Sequence, residues 1–509
     1  MELQFSVDGS QVSVPDDGAS LLEVLRDRLG LRTAKDGCSP QGQCGCCTVW
    51  VDGAPRVACV TPARRVAGRE VTTVAGLEAE VRDRWADAFV ATGASQCGFC
   101  TPGIIMRLAA ERGSVENALL AHLCRCTGWR TILEAAELAT SQRPIDTSGR
   151  DLVAAARRAE LEGGAPQRVG SEVALGEGGF ADDTAPRDAL VAVPTESGEW
   201  IVRETLLEAR VAAGKIQGRR TTLDPGWPIE LPPGDWAVTL QTTWTEPAYL
   251  ETDASWCLPG GEPSTPLANG GAFGGKSRSG VQAVARRLAD EHGRAVRVLL
   301  TREDTVRLGP KRPPIAAGIR ADGSGALVAA RTAGIAELIG SSAPRLEVQE
   351  VDVAGPPTSI DIRGAGWLEA TVLTAAAGDA ETVRAPGGGA ATARFEPDGS
   401  LAITVSCGDP LDEVVLRSYC TGAAHMALGL VRSEAIAVDA EGAPHDLTIR
   451  SFGILRAVDT PEIRIHIEGA GGPPVNGSDA VMAAVALAAW RAEGLPTRWP
   501  TRRGAGVTG

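Results

Sequence analysis

The groups in this chain best suited to chemistry are its thiols. Of twelve cysteines, nine lie between Cys38 and Cys126, in two separate sets. Cys38, Cys44, Cys46, Cys47 and Cys59 form the first set; Cys97, Cys100, Cys124 and Cys126 form the second. Each set can supply four thiolates, enough to hold one metal centre. Two such centres side by side suggest a short electron wire. Cys257, Cys407 and Cys420 stand among apolar residues and read as structural.

The elements around the thiols can be read from pattern. Residues 1–77 read as a small strand-rich domain. Phe5, Val7, Val12 and Val14 alternate about an Asp8-Gly9 turn, which predicts a hairpin. Ser20-Leu-Leu-Glu23 reads as a capping box ahead of an apolar helical face (Leu21, Leu22, Val24, Leu25, Leu29). The first thiol set follows in a Gly-rich loop. A second hairpin, turning at Asp52-Gly53, is expected to carry Cys59 back towards that loop. Residues 78–146 read as helical, with Pro102 suited to the first position of a helix and Ser114 suited to cap another. Both cysteine pairs of the second set therefore fall at or just before helix N-termini, where the partial positive charge favours thiolates.

Spacing narrows the chemistry. A plant-type [2Fe–2S] site has the pattern C-x4-C-x2-C with a fourth cysteine further on. Cys44 and Cys47 keep the second step, but five residues, not four, separate Cys38 from Cys44. Cys46 is left over and reads as a small half-buried residue. A zinc site is the alternative for either set.

The segments Gly37–Val49, Gln96–Gly103 and Leu123–Gly128 closely resemble the iron–sulfur region of the xanthine oxidase family of molybdenum hydroxylases. The order of the two sets is also that family's. The resemblance implies an α+β multidomain chain: a β-grasp [2Fe–2S] ferredoxin domain at 1–77, a four-helix [2Fe–2S] domain at 78–146, and a shortened, mixed α/β molybdopterin-binding-like region at 167–509. By composition, residues 147–166 read as a charged linker, partly helical at Leu152–Leu161, and 167–509 is long enough for two subdomains, dividing near 345. It implies one cluster on Cys38, Cys44, Cys47 and Cys59, and a second on Cys97, Cys100, Cys124 and Cys126. Gln96 and Cys126 would also touch a molybdopterin.

Asn269-Gly-Gly-Ala-Phe-Gly-Gly-Lys-Ser277 can be read in two ways. Taken literally, Gly270-x4-Gly275-Lys276-Ser277 matches a phosphate-binding P-loop. Yet no buried strand precedes it, and no apolar strand ending in a metal-binding Asp follows. It also resembles a Gly-rich stretch of the family's molybdenum subunit, which would place Gly271, Phe273 and Gly274 at the cofactor. Arg363-Gly-Ala-Gly366 is similar to a second motif, implying that Arg363 faces the site. Other positions depart from the family. Where its general-base glutamate is expected, the chain has Gly472, with Glu468 and Asp479 nearby. The catalytic residues are therefore unassigned.

The formal charge of −14 argues against nucleic acid or an anionic membrane as the main partner. No stretch reads as a bilayer span or Sec signal, so a cytoplasmic protein with thiols used as ligands is expected. The functional reading is an oxidoreductase component that relays electrons through two [2Fe–2S] clusters, from a molybdopterin centre to an external flavin or other acceptor. The expected partners are a separate FAD-binding subunit and a full-length molybdenum subunit. The alternative is a non-catalytic electron-transfer or scaffolding subunit whose C-terminal region has lost molybdenum catalysis and docks a separate catalytic chain.

Overall fold

The computed structural model describes residues 2–110, 113–147, 149–218, 223–266, 271–469 and 471–502. The first sheet has the order Ser10–Pro15, Glu2–Val7, Glu70–Thr72, Thr48–Val51, Ala54–Val57. Its first and last pairs are hairpins. Asp8 and Gly9 have φ of 49° and 78°, and Asp52 and Gly53 have 50° and 73°. Two successive left-handed residues match the right-handed twist of the flanking strands, which is why Asp-Gly suits both turns. Between the hairpins, Glu2–Val7 runs parallel to Glu70–Thr72. Phe5, Val7, Val14, Val49, Val51 and Val71 point inward from alternate positions. Ser20 Oγ accepts from Glu23 N at 3.2 Å, and the helix that it opens widens into a π-turn over Val24–Arg28.

Four helices follow: Ala79–Thr92, Thr101–Ala109, Val115–Ala118 and Arg130–Thr140. Cys100 is the N-cap of the second, with Pro102 in its first turn. Asp151 then caps Leu152–Gly163 by accepting from Val153 N and Ala154 N. This helix lies within the 147–166 stretch and packs on the long helix Glu413–Arg432, with Arg158 and Glu162 buried between them.

Among the described residues, three four-stranded sheets follow. One joins Leu190–Pro194, Trp200–Arg203, Ala254–Cys257 and Val296–Leu299, with Leu206–Ala213 and Val281–His292 as its helices. The next runs Leu346–Val351, Gly325–Ala330, Ile315–Ile319, Val238–Gln241. Its first two strands pair with each other in parallel, and residue 345 lies in the connection between them. The last joins Val383–Arg384, Ala390–Phe395, Leu401–Ser406 and Ile463–Glu468, backed by Glu413–Arg432 and Ser478–Ala492. The architecture is α+β and multidomain. One apolar core nevertheless runs from Leu3 through Trp129 and Leu416 to Trp499. By length and composition Glu413–Arg432 could cross a membrane, contrary to the expectation from sequence, but it is buried here as a core helix.

Candidate functional site

Cys38, Cys44, Cys47 and Cys59 come together as buried thiols. Cys38 is within hydrogen-bonding contact of Cys44 and Cys59, and Cys59 is within such contact of Cys47. Protons shared in this way hold the Cys38 thiol well below its ordinary range and push Cys44 and Cys59 well above theirs. Backbone N–H groups of Gln41 and Gln43 point at Cys38 Sγ (3.3 and 3.4 Å), and that of Cys59 points at Cys47 Sγ (3.4 Å). The lengthened loop between Cys38 and Cys44 is held from outside. Arg210 donates to Ser39 Oγ at 2.8 Å, and Gln41 Nε2 donates to Glu303 Oε1 at 2.9 Å. The additional residue is thus anchored by side chains from the C-terminal region.

The second set resolves into two pairs. Cys97 and Cys126 have sulfurs 3.6 Å apart, and Cys100 is in hydrogen-bonding contact with Cys124. The contact with Cys100, helped by Thr127, brings Cys124 down to about 6. Cys126 is pushed well above its ordinary range by the same sharing with Cys97. Leu123 N donates to Cys44 O at 3.0 Å, so the two sets are stitched together through backbone. Buried Cys46 lies at this seam, beside Cys44 and within electrostatic reach of Cys124. His122 sits there too, 3.3 Å from Thr48 Oγ1, and burial brings it down to about 4, so it is neutral near pH 7. Among the described residues no three His, Cys, Asp or Glu side chains converge on a single-ion site.

Beside the second set lies the Gly-rich loop. Asn269 and Gly270, which open its motif, are outside the described residues. Gly271 has φ 77°, and a Cβ there would sit 3.1 Å from Cys97 Sγ and 3.4 Å from Cys126 Sγ. Gly274 has φ 86°, and its Cβ would fall 1.7 Å from Asp361 O. Neither position accepts a side chain. Phe273 O accepts from Arg363 N at 2.9 Å, and the Arg363 guanidinium stacks 4.8 Å from the Phe273 ring centre. Arg363 Nε also donates to Asp479 Oδ1 at 2.8 Å, and Nη2 donates to Ser478 Oγ. Gln96 Nε2 reaches Cys126 O and Ser418 Oγ, both at 2.9 Å.

The P-loop alternative fails here. Lys276 Nζ is buried against Glu251 Oε2 at 2.5 Å, and Ser277 Oγ donates to Asp361 Oδ2 at 2.8 Å, so neither faces a phosphate. The fold also brings in carboxylates that no sequence motif marks. Glu434 forms a buried, two-pronged pair with Arg125 (2.6 and 2.9 Å), between Cys124 and Cys126 in sequence. Glu162 accepts from Gly477 N and Ser478 N (3.0 and 2.9 Å), capping Ser478–Ala492 from a distant element. Burial raises the Glu251 carboxyl to about 7 despite Lys276. A Cβ built on Gly472 would meet no described atom within 4 Å, Glu468 is exposed, and Asp479 is engaged by Arg363.

Comparison with known proteins gives this arrangement a lineage. Residues 73–137 match the [2Fe-2S] binding domain family. A probable xanthine dehydrogenase subunit of Bacillus subtilis is 37% identical over 124 residues, covering 23% of this chain and 71% of that protein. The chain belongs to the xanthine oxidase family. Xanthine dehydrogenase of Drosophila pseudoobscura pseudoobscura is 40% identical over 167 residues, but these are 28% of this chain and only 12% of that protein. The solved aldehyde oxidoreductase from Desulfovibrio gigas superposes with a TM-score of 0.72 at 13% identity, covering 99% of each chain, which speaks for the fold alone.

Membership makes the chain an oxidoreductase-family protein with [2Fe–2S] clusters, in a family of molybdopterin enzymes. The residues fit both groups chemically. The thiols are buried, paired and approached by N–H donors. Near the Gly-rich loop, Gln96 Oε1 and Arg363 Nη1 are buried without a hydrogen-bond partner, as a polar ligand would require.

Proposed function

We propose that this chain is the electron-transfer component of a molybdenum-hydroxylase-type system. Cys38, Cys44, Cys47 and Cys59 hold one [2Fe–2S] cluster, and Cys97, Cys100, Cys124 and Cys126 hold the other. When bound, the clusters supply one-electron carriers between a molybdopterin centre and an external flavin. The chain's own residues hold the thiols close, keep water from them and aim N–H groups at sulfur, which favours the anionic form. Gln96, Cys126, Gly271, Phe273, Gly274 and Arg363 are the residues that would contact a molybdopterin. The single observation that carries the relay reading is the adjacency of two buried thiol sets joined by the Leu123 N–Cys44 O bond.

One observation favours a division of labour with another chain. Asp479, the acid nearest the expected general-base position, is already paired with Arg363, and Gly472 offers no carboxylate. General-base catalysis is worth roughly 10²–10⁴-fold. A relay subunit docked to a full-length molybdenum subunit, with a separate FAD-binding subunit, would need no base of its own. The Bacillus relative is itself named as one part of a multi-chain enzyme, which supports such an assembly. A cytoplasmic setting suits its reduced thiols.

Metal analysis with spectroscopy tests both parts. Purification from a host that makes molybdopterin should give about four irons per chain and two distinct EPR signals after reduction, as two dinuclear clusters require. Colourless, zinc-loaded protein would refute the relay. Near-stoichiometric molybdenum would assign the catalytic centre to this chain, and a molybdenum-free preparation with both EPR signals would assign it to a partner.

A further inference from the structure

Arg302 stands apart from the other buried cations. Every other buried lysine or arginine among the described residues is ion-paired with a carboxylate, from Arg26 with Asp182 to Arg363 with Asp479. Arg302 is 0% exposed, and its Nε and Nη1 have no hydrogen-bond partner. Its neighbours in the chain are acids, but both are committed elsewhere. Glu303 accepts from Gln41 Nε2 at 2.9 Å, and Asp304 accepts from Thr301 Oγ1 at 2.5 Å. A guanidinium keeps its charge at any ordinary pH, and a charge buried without a partner is strongly unfavourable. The site therefore calls for a counter-charge.

The surroundings of Arg302 say where that charge lies. Arg302 opens the helix Arg302–Leu308, directly after the capping Thr301. Its Nη2 donates to Gly37 O and to Leu250 O, both at 2.7 Å. Gly37 precedes Cys38, and a Cβ on it would lie 3.1 Å from both Cys44 Sγ and Cys46 Sγ. Leu250 lines the same small cavity as Cys97, Cys100 and Cys126. Tyr249, also on that cavity, has its ring centre 5.9 Å from the guanidinium carbon. One nitrogen thus ties the loop of the first thiol set to the wall of the second.

We propose that Arg302 is a counter-charge shared by the two [2Fe–2S] centres, and that it raises the reduction potential of both. The proposal rests on the relay reading. Four thiolates and two sulfides outweigh two ferric irons, so each centre is an anion. Reduction adds one electron, taking one iron from ferric to ferrous and deepening the negative charge. No bond forms or breaks, and no proton leaves Arg302. A fixed positive charge held away from water favours the reduced form. Placed between the two sets, it favours an electron on either, as a relay requires.

The test is an EPR-monitored redox titration of the full-length, iron-loaded chain. Arg302→Gln and Arg302→Met remove the charge; Arg302→Lys keeps it. Loss of the charge should lower the one-electron reduction equilibrium constant of both centres, by about tenfold at the more affected one. That factor is a shift of about 59 mV to lower potential. Arg302→Lys should keep most of the native potential at both. Arg287→Ala, which removes an exposed charge, should shift neither. Unchanged potentials in a charge-free variant that holds both clusters, or an equal drop in Arg302→Lys, overturn the proposal. If neither charge-free variant assembles its clusters, native potentials in Arg302→Lys support the counter-charge. Loss of the clusters in Arg302→Lys as well overturns it, because the shape of the guanidinium then matters and its charge does not. A native chain with no reducible cluster overturns the relay reading instead.

Discussion

The thiol-bearing units and the C-terminal region use polar groups in opposite ways. Before Thr140 the critical atoms are sulfurs packed against one another, and local turns bring them there. Beyond Asp151 the critical groups are charges, and many reach back across the molecule. Glu434 pairs with Arg125, Asp183 with Arg26 and Lys35, and Asp412 with Arg150. Arg302 is fully buried and donates to Gly37 O, at the mouth of the first thiol loop, at 2.7 Å. The C-terminal region is therefore a clamp on the iron–sulfur units as well as a fold of its own. Once a guanidinium or carboxylate is buried, removal of its partner costs far more than the pair contributes net.

The largest separable effect should come from the thiols themselves. Cys97→Ser, which removes one sulfur of the Cys97–Cys126 pair, should abolish one EPR signal and spare the other. Iron should fall from about four to about two per chain. Loss of neither signal would refute the ligand assignment; loss of both would show that the two sets fold as one unit.

How much could be read in advance follows the same division. Thiol spacing is a local property, so Cys44-x2-Cys47 and Cys97-x2-Cys100 were legible, as were the Asp8-Gly9 and Asp52-Gly53 turns. The clamp was not. Arg125 and Glu434 are 309 residues apart in the chain, and no local pattern marks them as partners. The charged Gly/Ala/Arg composition of 147–166 reads as a partly helical linker, and nothing local marks Arg158 and Glu162 as buried. They are buried because remote groups satisfy them: Pro410 O and Val475 O accept from Arg158, and Gly477 N donates to Glu162. The Gly-rich motif at 271–277 was legible as a backbone approach, but the capture of Lys276 by Glu251 came from folding two segments of the chain together.

The clamp can be broken next. Glu434→Gln leaves the Arg125 guanidinium buried without its counter-charge. A loss of about 3–5 kcal/mol is expected, read by denaturant unfolding, with weakened packing of the second thiol set against Pro247 and Glu413–Arg432. A change below about 1 kcal/mol would mean that water or a neighbouring group replaces the carboxylate.

A smaller effect should appear with pH at Glu251. Burial raises its carboxyl to about 7 from the ordinary 4.5, against the pull of Lys276. The folded chain thus holds this proton more tightly than the unfolded chain does. The resulting stabilisation is complete below pH 4.5 and is lost as pH rises through 7. Melting temperature should fall between about pH 5 and about pH 7.5 for this reason, and Glu251→Gln should flatten that slope. An unchanged slope in the variant would move the titration to another group.

The smallest effect should come from the C-terminal region's own surface, and it completes the contrast. Arg287 and Glu291 stand four residues apart on Val281–His292, 2.9 Å from each other and half exposed. The pair resembles Arg158–Glu162 in sequence, yet water solvates either partner when the other is removed. Arg287→Ala should therefore change stability by no more than about 0.5 kcal/mol, whereas Glu162→Gln should cost several times as much because Arg158 has no solvent to turn to. Matched unfolding curves for the two variants measure this directly. Similar losses at both sites would mean that burial is not what makes the clamp, and that the packing of Leu152–Gly163 against Glu413–Arg432 rests on its apolar contacts alone.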